Sequence, residues 1–282
     1  MSVTARYGKV YDHVFGISNL LGENSLYINM GYWETKPATL DSACAELARL
    51  MAIEADLRDD DTVVDVGCGY GDQDFLWIDE FHPKRILGVN VATQQVEIAN
   101  MRARRLGIAD KVTFVKGEAA KLPAADSSST KVIAVESAFH FPSRDDFFAE
   151  AARVLKPGGR MVIADIVPLT SQAVSGPVRR IPVAGALVRA LFMADRQRLD
   201  INSYPEALAK AGFGHCKVYS IRHHVYHPFT TFIRARFATP EMRRVNPVGR
   251  LCFGRIGLAV WTPWMDYVVA VAEKPRDELP EM

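Results

Sequence analysis

Cysteine is scarce in this chain. Four residues, Cys44, Cys68, Cys216 and Cys252, are spread over 282 positions, with no C-x-x-C pair and no histidine at zinc-ligand spacing. That spacing excludes a disulfide scaffold and gives no support to a metal knuckle or a redox pair, so reduced, mostly buried thiols are expected. Charge of one sign is lacking as well: 34 Lys+Arg face 33 Asp+Glu, a net +1, and a polyanionic partner would have to be recognised through a local patch. Long apolar runs are missing too. The stretch from Ile181 to Ala194 is short and contains Arg189, and that from Ile256 to Ala272 is broken by Pro263 and Asp266, so neither is expected to span a bilayer. The start, MSVTARYGKVYDHVFG, has neither the apolar stretch nor the small-residue cleavage site of a secretory signal, which points to a cytoplasmic location. What is present, 49% hydrophobic and 24% charged residues, suits one enlarged globular α/β domain.

From Asp61 to about Val167, β-rich apolar runs alternate with helix-like segments, the pattern of a parallel sheet covered on both faces. Strands are expected at TVVDVG, RILGVNV, KVTFVKG, KVIAVES and RMVIADIV. Between them, TQQVEIANMRARRLG offers Val96, Ile98, Ala99, Met101 and Leu106 as a sheet-facing side and Gly107 as a stop. RDDFFAEAARVLKPGG carries acids in its first turn and Arg153 and Lys156 near its end, matching the helix dipole. Beyond Pro168 a loop with an amphipathic helix runs to about Asn202, followed by a helix at YPEALAKAGF and strands at HCKVYSIRHHV and PWMDYVVAVAEK. Residues 1 to 60 precede the first strand and are expected to form an amino-terminal helical lid. Its helix is LDSACAELARLMAIEA, and its aromatic loop SLYINMGYWE. The remaining domain, 61 to 282, would carry insertions at about 168–202 and 227–262.

The sharpest motif is V-V-D-V-G-C-G-Y-G. A strand ends at Val66, and Gly67, Gly69 and Gly71 let the chain turn tightly beside a ligand before a helix begins, where any side chain would fill ligand space. The spacing is G-x-G-x-G rather than the dinucleotide G-x-G-x-x-G, and no G-x-x-x-x-G-K-[ST] phosphate loop occurs. NAD and nucleoside triphosphates are disfavoured.

With these residues the sequence resembles the class I S-adenosylmethionine-dependent methyltransferases, whose first motif has this D-x-G-x-G-x-G form after strand one. The second strand ending in Asn90, the GEAAKLP after the third, and KPGGRMVIADI around the fifth fall at the family's stations, so the resemblance spans about residues 60–168. It implies a doubly wound, Rossmann-like α/β fold of seven strands with an antiparallel last strand, and S-adenosyl-L-methionine as cofactor, with S-adenosyl-L-homocysteine as product. Carried over residue by residue, Asp65, Gly67, Gly69 and Gly71 would surround the amino acid portion, Asp65 reaching the ammonium directly or through water; the alternative for Asp65 is a capping acid. Asn90 stands where the family usually has an acid on the ribose hydroxyls; an amide accepts one hydrogen bond and donates another but brings no charge, and Gln95 would assist. Glu118 and Ala119 would lie by the adenine, against a solvated loop acid for Glu118. Glu136 would join them at the cofactor, and Tyr11, Tyr27 and Trp33 would close over it.

Glu136 and His140, in ESAFHF, lie past the carboxyl end of the fourth strand, where open α/β sheets bind ligands. His140 is the candidate general base, since an imidazole titrates near neutrality; the alternative is a histidine packed against Phe139 and Phe141. His223, His224 and His227 share no carboxylate, and on a strand His223 and His224 would face opposite sides, so no metal site is expected, although one of them could serve as the base. From Arg222 to Arg255 seven arginines meet one acid. This stretch is read as a solvated helical face, an attraction for an anionic lipophilic acceptor, or a transient membrane-surface contact. Nucleic acid is not expected as acceptor, because no N-P-P-Y or D-P-P-Y signature is present.

SLYINMGYW, GCGYGDQD and ESAFHF are similar to bacterial natural-product enzymes, particularly macrolide and ansamycin O-methyltransferases; N-methylating sarcosine enzymes and lipid cyclopropane synthases share parts of the pattern. The resemblance implies methyl transfer to a hydroxyl of a bulky lipophilic small molecule. The alternatives are C-methylation of an isoprenoid or lipid, with Phe139, Phe141 or Trp261 stabilising a carbocation, N-methylation, or binding of S-adenosylmethionine as a sensor without catalysis.

Overall fold

The computed structural model describes residues 22–169, 199–239 and 262–276. Seven strands form one sheet in the order β3-β2-β1-β4-β5-β7-β6. They are β1 Thr62–Val66, β2 Arg85–Asn90, β3 Val112–Lys116, β4 Ser129–Val135, β5 Leu155–Pro168, β6 Gly214–Ser220 and β7 Met265–Glu273. The pairs β1–β2, β1–β4, β2–β3 and β4–β5 are parallel, and β7 runs antiparallel to both its neighbours. The central strands are apolar on both sides because helices cover both faces. On one face pack α1 (Leu40–Glu54), α2 (Asp72–Glu80), α3 (Thr93–Leu106) and α6 (Arg222–Arg236), through Met51, Trp77, Ala99 and Tyr226; on the other, α4 (Arg144–Val154) and α5 (Tyr204–Lys210), through Phe147, Phe148 and Leu208.

The chain winds outward from β1 through β2 to β3, and from β4 in the opposite direction through β5. β1 and β4 are neighbours, so the topology reverses between them and a crevice opens beyond their carboxyl ends, where such sheets bind ligands. The two loops entering that crevice are the glycine loop after β1 and the segment Glu136–Phe141 after β4.

Local chemistry sets most element ends. Thr39 caps α1 by accepting from the Ser42 N–H, Ser143 caps α4 by accepting from Asp146, and Gly107 ends α3 in the left-handed region at φ 72°. Three readings of the sequence change. Met101 and Leu106 are exposed at 56% and 57%, since the buried face of α3 runs through Val96, Ala99 and Ala103 and both residues fall off that stripe. The segment read as one strand through Val225 stops at Ser220, whose hydroxyl donates to Asp266, and α6 begins at Arg222. Burial of Val225, Tyr226, Phe229 and Ile233 at helical spacing outweighs the β-rich run before it. The helix ahead of Lys156 ends at Val154, because Leu155 to Gly159 already belong to β5.

The amino-terminal region is less uniformly helical than expected. Within its described part, Ser25–Glu34 is irregular, and α1 is a core helix with Leu47, Ala48 and Met51 fully buried. Tyr11, Trp261 and most of both expected insertions lie outside the described residues.

Candidate active site

The glycine loop forms one wall of the crevice, which contains about 790 Å³ of free space and opens to solvent. Gly67 sits at φ +87°, and a Cβ there would come within 2.3 Å of the Ser137 Cβ, so only glycine allows the β1 and β4 loops to meet. Ser137 fixes that junction by donating to the Val66 carbonyl at 2.7 Å. Gly69 is also left-handed, at φ +56°, with Ile28 Cδ1 3.7 Å from where its Cβ would stand. Ile28 brings the amino-terminal segment to the cavity.

Asn90 and Gln95 line the neighbouring wall. Asn90 Nδ2 donates to Gln95 Oε1 at 2.7 Å, and the Val91 N–H donates to Asn90 Oδ1 at 2.8 Å. Gln95 Nε2 is buried and has no hydrogen-bond partner in the protein. A buried donor left in this way costs stability unless something entering the cavity accepts from it. Val89 and Ala119 supply an apolar stretch beside these amides.

Glu136 and His140 occupy the wall past β4. Glu136 takes a left-handed backbone, φ 50°, unusual for a side-chain-bearing residue, and its N–H donates to the Ala164 carbonyl at 2.8 Å. Oε2 accepts from the Met30 N–H at 2.9 Å and from the Tyr267 hydroxyl at 2.8 Å. Burial pushes its carboxyl up to about 7, while the two hydrogen bonds oppose that rise. His140 stacks against Phe139, with ring centroids 3.7 Å apart. Burial, with the Arg144 guanidinium adding to it, pushes the imidazole down to about 3, so His140 is neutral at physiological pH. Its Nδ1 is buried, and the residue lines the cavity.

Arg144 is itself 1% exposed and pairs with Asp165 at 2.7 Å, and Asp165 also accepts from the Tyr204 hydroxyl at 3.0 Å. This network anchors α4 and α5 to β5 next to the histidine.

The remaining sequence candidates stand off the cavity wall. Asp65 is wholly buried beneath the glycine loop, where it accepts from Gln73 Nε2 at 2.9 Å and lies in electrostatic contact with the equally buried Asp74. Gly71 caps α2 at φ +84°. Glu118 is exposed and bridges to Lys121. Tyr27 donates to the Asp72 carbonyl at 3.3 Å. Trp33 packs on Phe232 and donates to the Met30 carbonyl at 2.8 Å, while its N–H bonds the His224 carbonyl. Tyr27 and Trp33 therefore hold the segment that carries Ile28, and their rings do not line the cavity. His223, His224 and His227 are exposed on α6, away from the cavity. No group of three or more metal-ligating side chains occurs among the described residues. Arg236 is spent on Gly22 and Glu23 rather than on a ligand.

Sequence reading missed Ile28, Ser137 and Tyr267. Ile28 and Ser137 stand inside segments singled out for other residues, SLYINMGYWE and ESAFHF, and Tyr267 lies in an apolar strand; each joins the site through contacts with segments distant in sequence.

A glycine-lined turn, an unsatisfied amide donor, an apolar slot and a carboxyl with no Lys or Arg beside it among the described lining residues suit a ligand that combines ribose, adenine and positive charge. A methyltransferase-domain family model matches residues 64–163. Erythromycin 3''-O-methyltransferase of Saccharopolyspora erythraea is 34% identical over 259 residues, covering 88% of this chain and 84% of that protein. The chain is a class I S-adenosylmethionine-dependent methyltransferase of the natural-product type. A second relative of this methyltransferase, the 27-O-demethylrifamycin SV methyltransferase of Amycolatopsis mediterranei, is 30% identical over 95% of this chain and 96% of that one. In fold, the methyltransferase is similar to geranyl diphosphate C-methyltransferase from Streptomyces coelicolor A3(2), solved with Mg2+, geranyl diphosphate and S-adenosyl-L-homocysteine. The TM-score is 0.70 at 19% identity over 97% of this chain and 99% of that one. S-adenosylmethionine is its cofactor, and the residues present fit it. No helix among the described residues is long and apolar enough to cross a membrane.

Proposed function

We propose that this methyltransferase transfers a methyl group to a hydroxyl of a bulky lipophilic secondary metabolite. When bound, S-adenosylmethionine supplies an electrophilic methyl carbon on a sulfonium, so the protein's task is to position the acceptor and receive one proton. The observation that carries the reading is His140 on the cavity wall, held neutral by its burial. A neutral imidazole accepts a hydrogen bond from a hydroxyl and takes its proton as the oxygen is alkylated. The relatives named for erythromycin and rifamycin support oxygen as the acceptor atom and a macrocycle or its sugar as the acceptor class.

Gly67, Gly69 and Gly71 shape the cofactor's amino acid end, with Asp65 and Asp74 behind them. Asn90 and Gln95 would hold the ribose, Ala119 and Glu118 the adenine side, and the segment around Tyr27 and Trp33 would act as a lid. The acceptor would enter by Phe141 and Pro142. C-methylation is the second reading, favoured by Phe141 on the cavity wall beside the Phe139–His140 stack.

Incubation with labelled S-adenosylmethionine and a panel of hydroxylated macrolides, ansamycins and prenyl diphosphates, with product analysis by mass spectrometry and NMR, separates the two. An O-methyl product on a macrocycle is expected. A carbon-bound methyl as the sole product would replace the hydroxyl reading with the second.

A further inference from the structure

Glu136 is a carboxyl group on the cavity wall, and among the described residues no cation acts on it. The groups that face it are the Met30 N–H from the amino-terminal segment, Cys44 on α1, Tyr226 on α6, Tyr267 on β7 and, across the cavity wall, His140. Burial raises the thiol and both phenols, and His140 is held uncharged, so all are neutral near pH 7. A carboxylate so placed lacks a counter-ion until a cation enters the cavity. The cofactor and its product differ in this property: the methyl donor carries a sulfonium, and the demethylated product a neutral thioether.

We infer that Glu136 matches the charge of the cofactor, ionising when S-adenosylmethionine binds and regaining its proton when S-adenosylhomocysteine takes its place, so that it selects the donor over the product. The inference rests on the cofactor assignment. The same atom, Oε2, accepts from Met30 in the amino-terminal segment and from Tyr267 in the sheet. Ionised, it draws both donors more strongly, because hydrogen bonds to a charged acceptor exceed those to a neutral one; protonated, it releases them. Donor binding thereby tightens the tie between the segment carrying Ile28 and the core, and the product loosens it. Unassisted, the group is half protonated near neutrality, where its carboxyl sits at about 7.

The test is calorimetric titration of the whole protein with each ligand at pH 7 in buffers of different ionisation enthalpy, which counts protons exchanged on binding. S-adenosylmethionine should release about half to one proton more than S-adenosylhomocysteine does, depending on how fully the product lets Glu136 regain its proton. Glu136→Gln keeps a carbonyl oxygen for both donors and removes the charge. In this variant the extra release should vanish and the donor-over-product affinity ratio fall about tenfold, one pKa unit's worth. The ligand amine titrates alike in both proteins, so the difference isolates Glu136. Tyr267→Phe leaves the charge and removes one donor, and should move the pH midpoint of proton release upward.

Equal proton release by both ligands in the wild-type protein would overturn the inference, as would parallel weakening of both in Glu136→Gln. Absence of binding by either ligand would instead strike the cofactor assignment, and with it this proposal.

Discussion

Asn90 Nδ2 donates to Gln95 Oε1 at 2.7 Å, and this single contact orients the Gln95 amide so that its Nε2 is the unsatisfied donor on the cavity wall. Where an acid would only accept from ribose hydroxyls, this pair presents a donor and a remaining lone pair on Asn90 Oδ1. Gln95→Glu keeps an acceptor for Asn90 and deletes the donor. It should weaken S-adenosylmethionine and S-adenosylhomocysteine equally, by about 5- to 100-fold for one buried hydrogen bond of about 1–3 kcal/mol. Unequal weakening would mean that the pair senses the sulfur rather than the ribose.

His140→Ala should lower kcat by about 10²- to 10⁴-fold, the range for a lost general base, with cofactor affinity little changed. Because burial and Arg144 hold the imidazole near 3, its protonation should not limit the rate between pH 5 and 8. Near-normal turnover of the variant across pH would remove His140 from the proton-accepting role.

The Asp65–Asp74 pair should appear in the pH dependence of stability. Burial raises Asp65 to about 7 and raises Asp74 as well, the latter aided by the Asp65 charge, so the folded chain keeps a proton that unfolded carboxyls shed near pH 4. The stability from that proton is complete below about pH 4 and is lost as pH rises through about 7. His140 acts oppositely: its folded value is depressed, so its contribution is present above about 6.5 and is lost as pH falls toward 3. Asp74→Asn supplies a permanent donor to Asp65. Its urea midpoint should exceed that of the wild-type protein at pH 8, by a margin that shrinks at pH 5; a margin independent of pH would refute the shared proton.

Asp165→Ala leaves the Arg144 guanidinium, 1% exposed, without its carboxylate. A loss of about 3–5 kcal/mol is expected, as for other buried pairs broken on one side, read by chemical denaturation. Asp165→Asn, which retains an oxygen for Arg144 and Tyr204, should lose less. Equal losses would show that the charge is immaterial.

Much of this protein was legible before its structure. Alternation of apolar runs and helical segments marks the sheet and its covering helices, because burial on two faces demands that pattern locally. The glycine spacing after β1 marks the cofactor turn, because only glycine tolerates that backbone beside a ligand. Where neighbours in sequence mislead, the reading failed: His223 and His224 continue a β-rich run, yet Val225, Tyr226, Phe229 and Ile233 pull them into a helix. Met101 and Leu106 are apolar and yet face solvent.

The sequence by itself determined the fold class, the glycine loop and the identity of four polar groups that line the cavity, Asn90, Gln95, Glu136 and His140, all of which are local properties of short segments. Tertiary structure alone decided their chemistry. Asp65 moves off the wall and is buried with Asp74, Trp33 becomes an anchor for the segment that carries Ile28, and Glu136 meets Tyr267 from 131 positions away. Ionisation and hydrogen bonding depend on which groups surround a side chain and how little water reaches it, and those neighbours are set by the order of strands in the sheet.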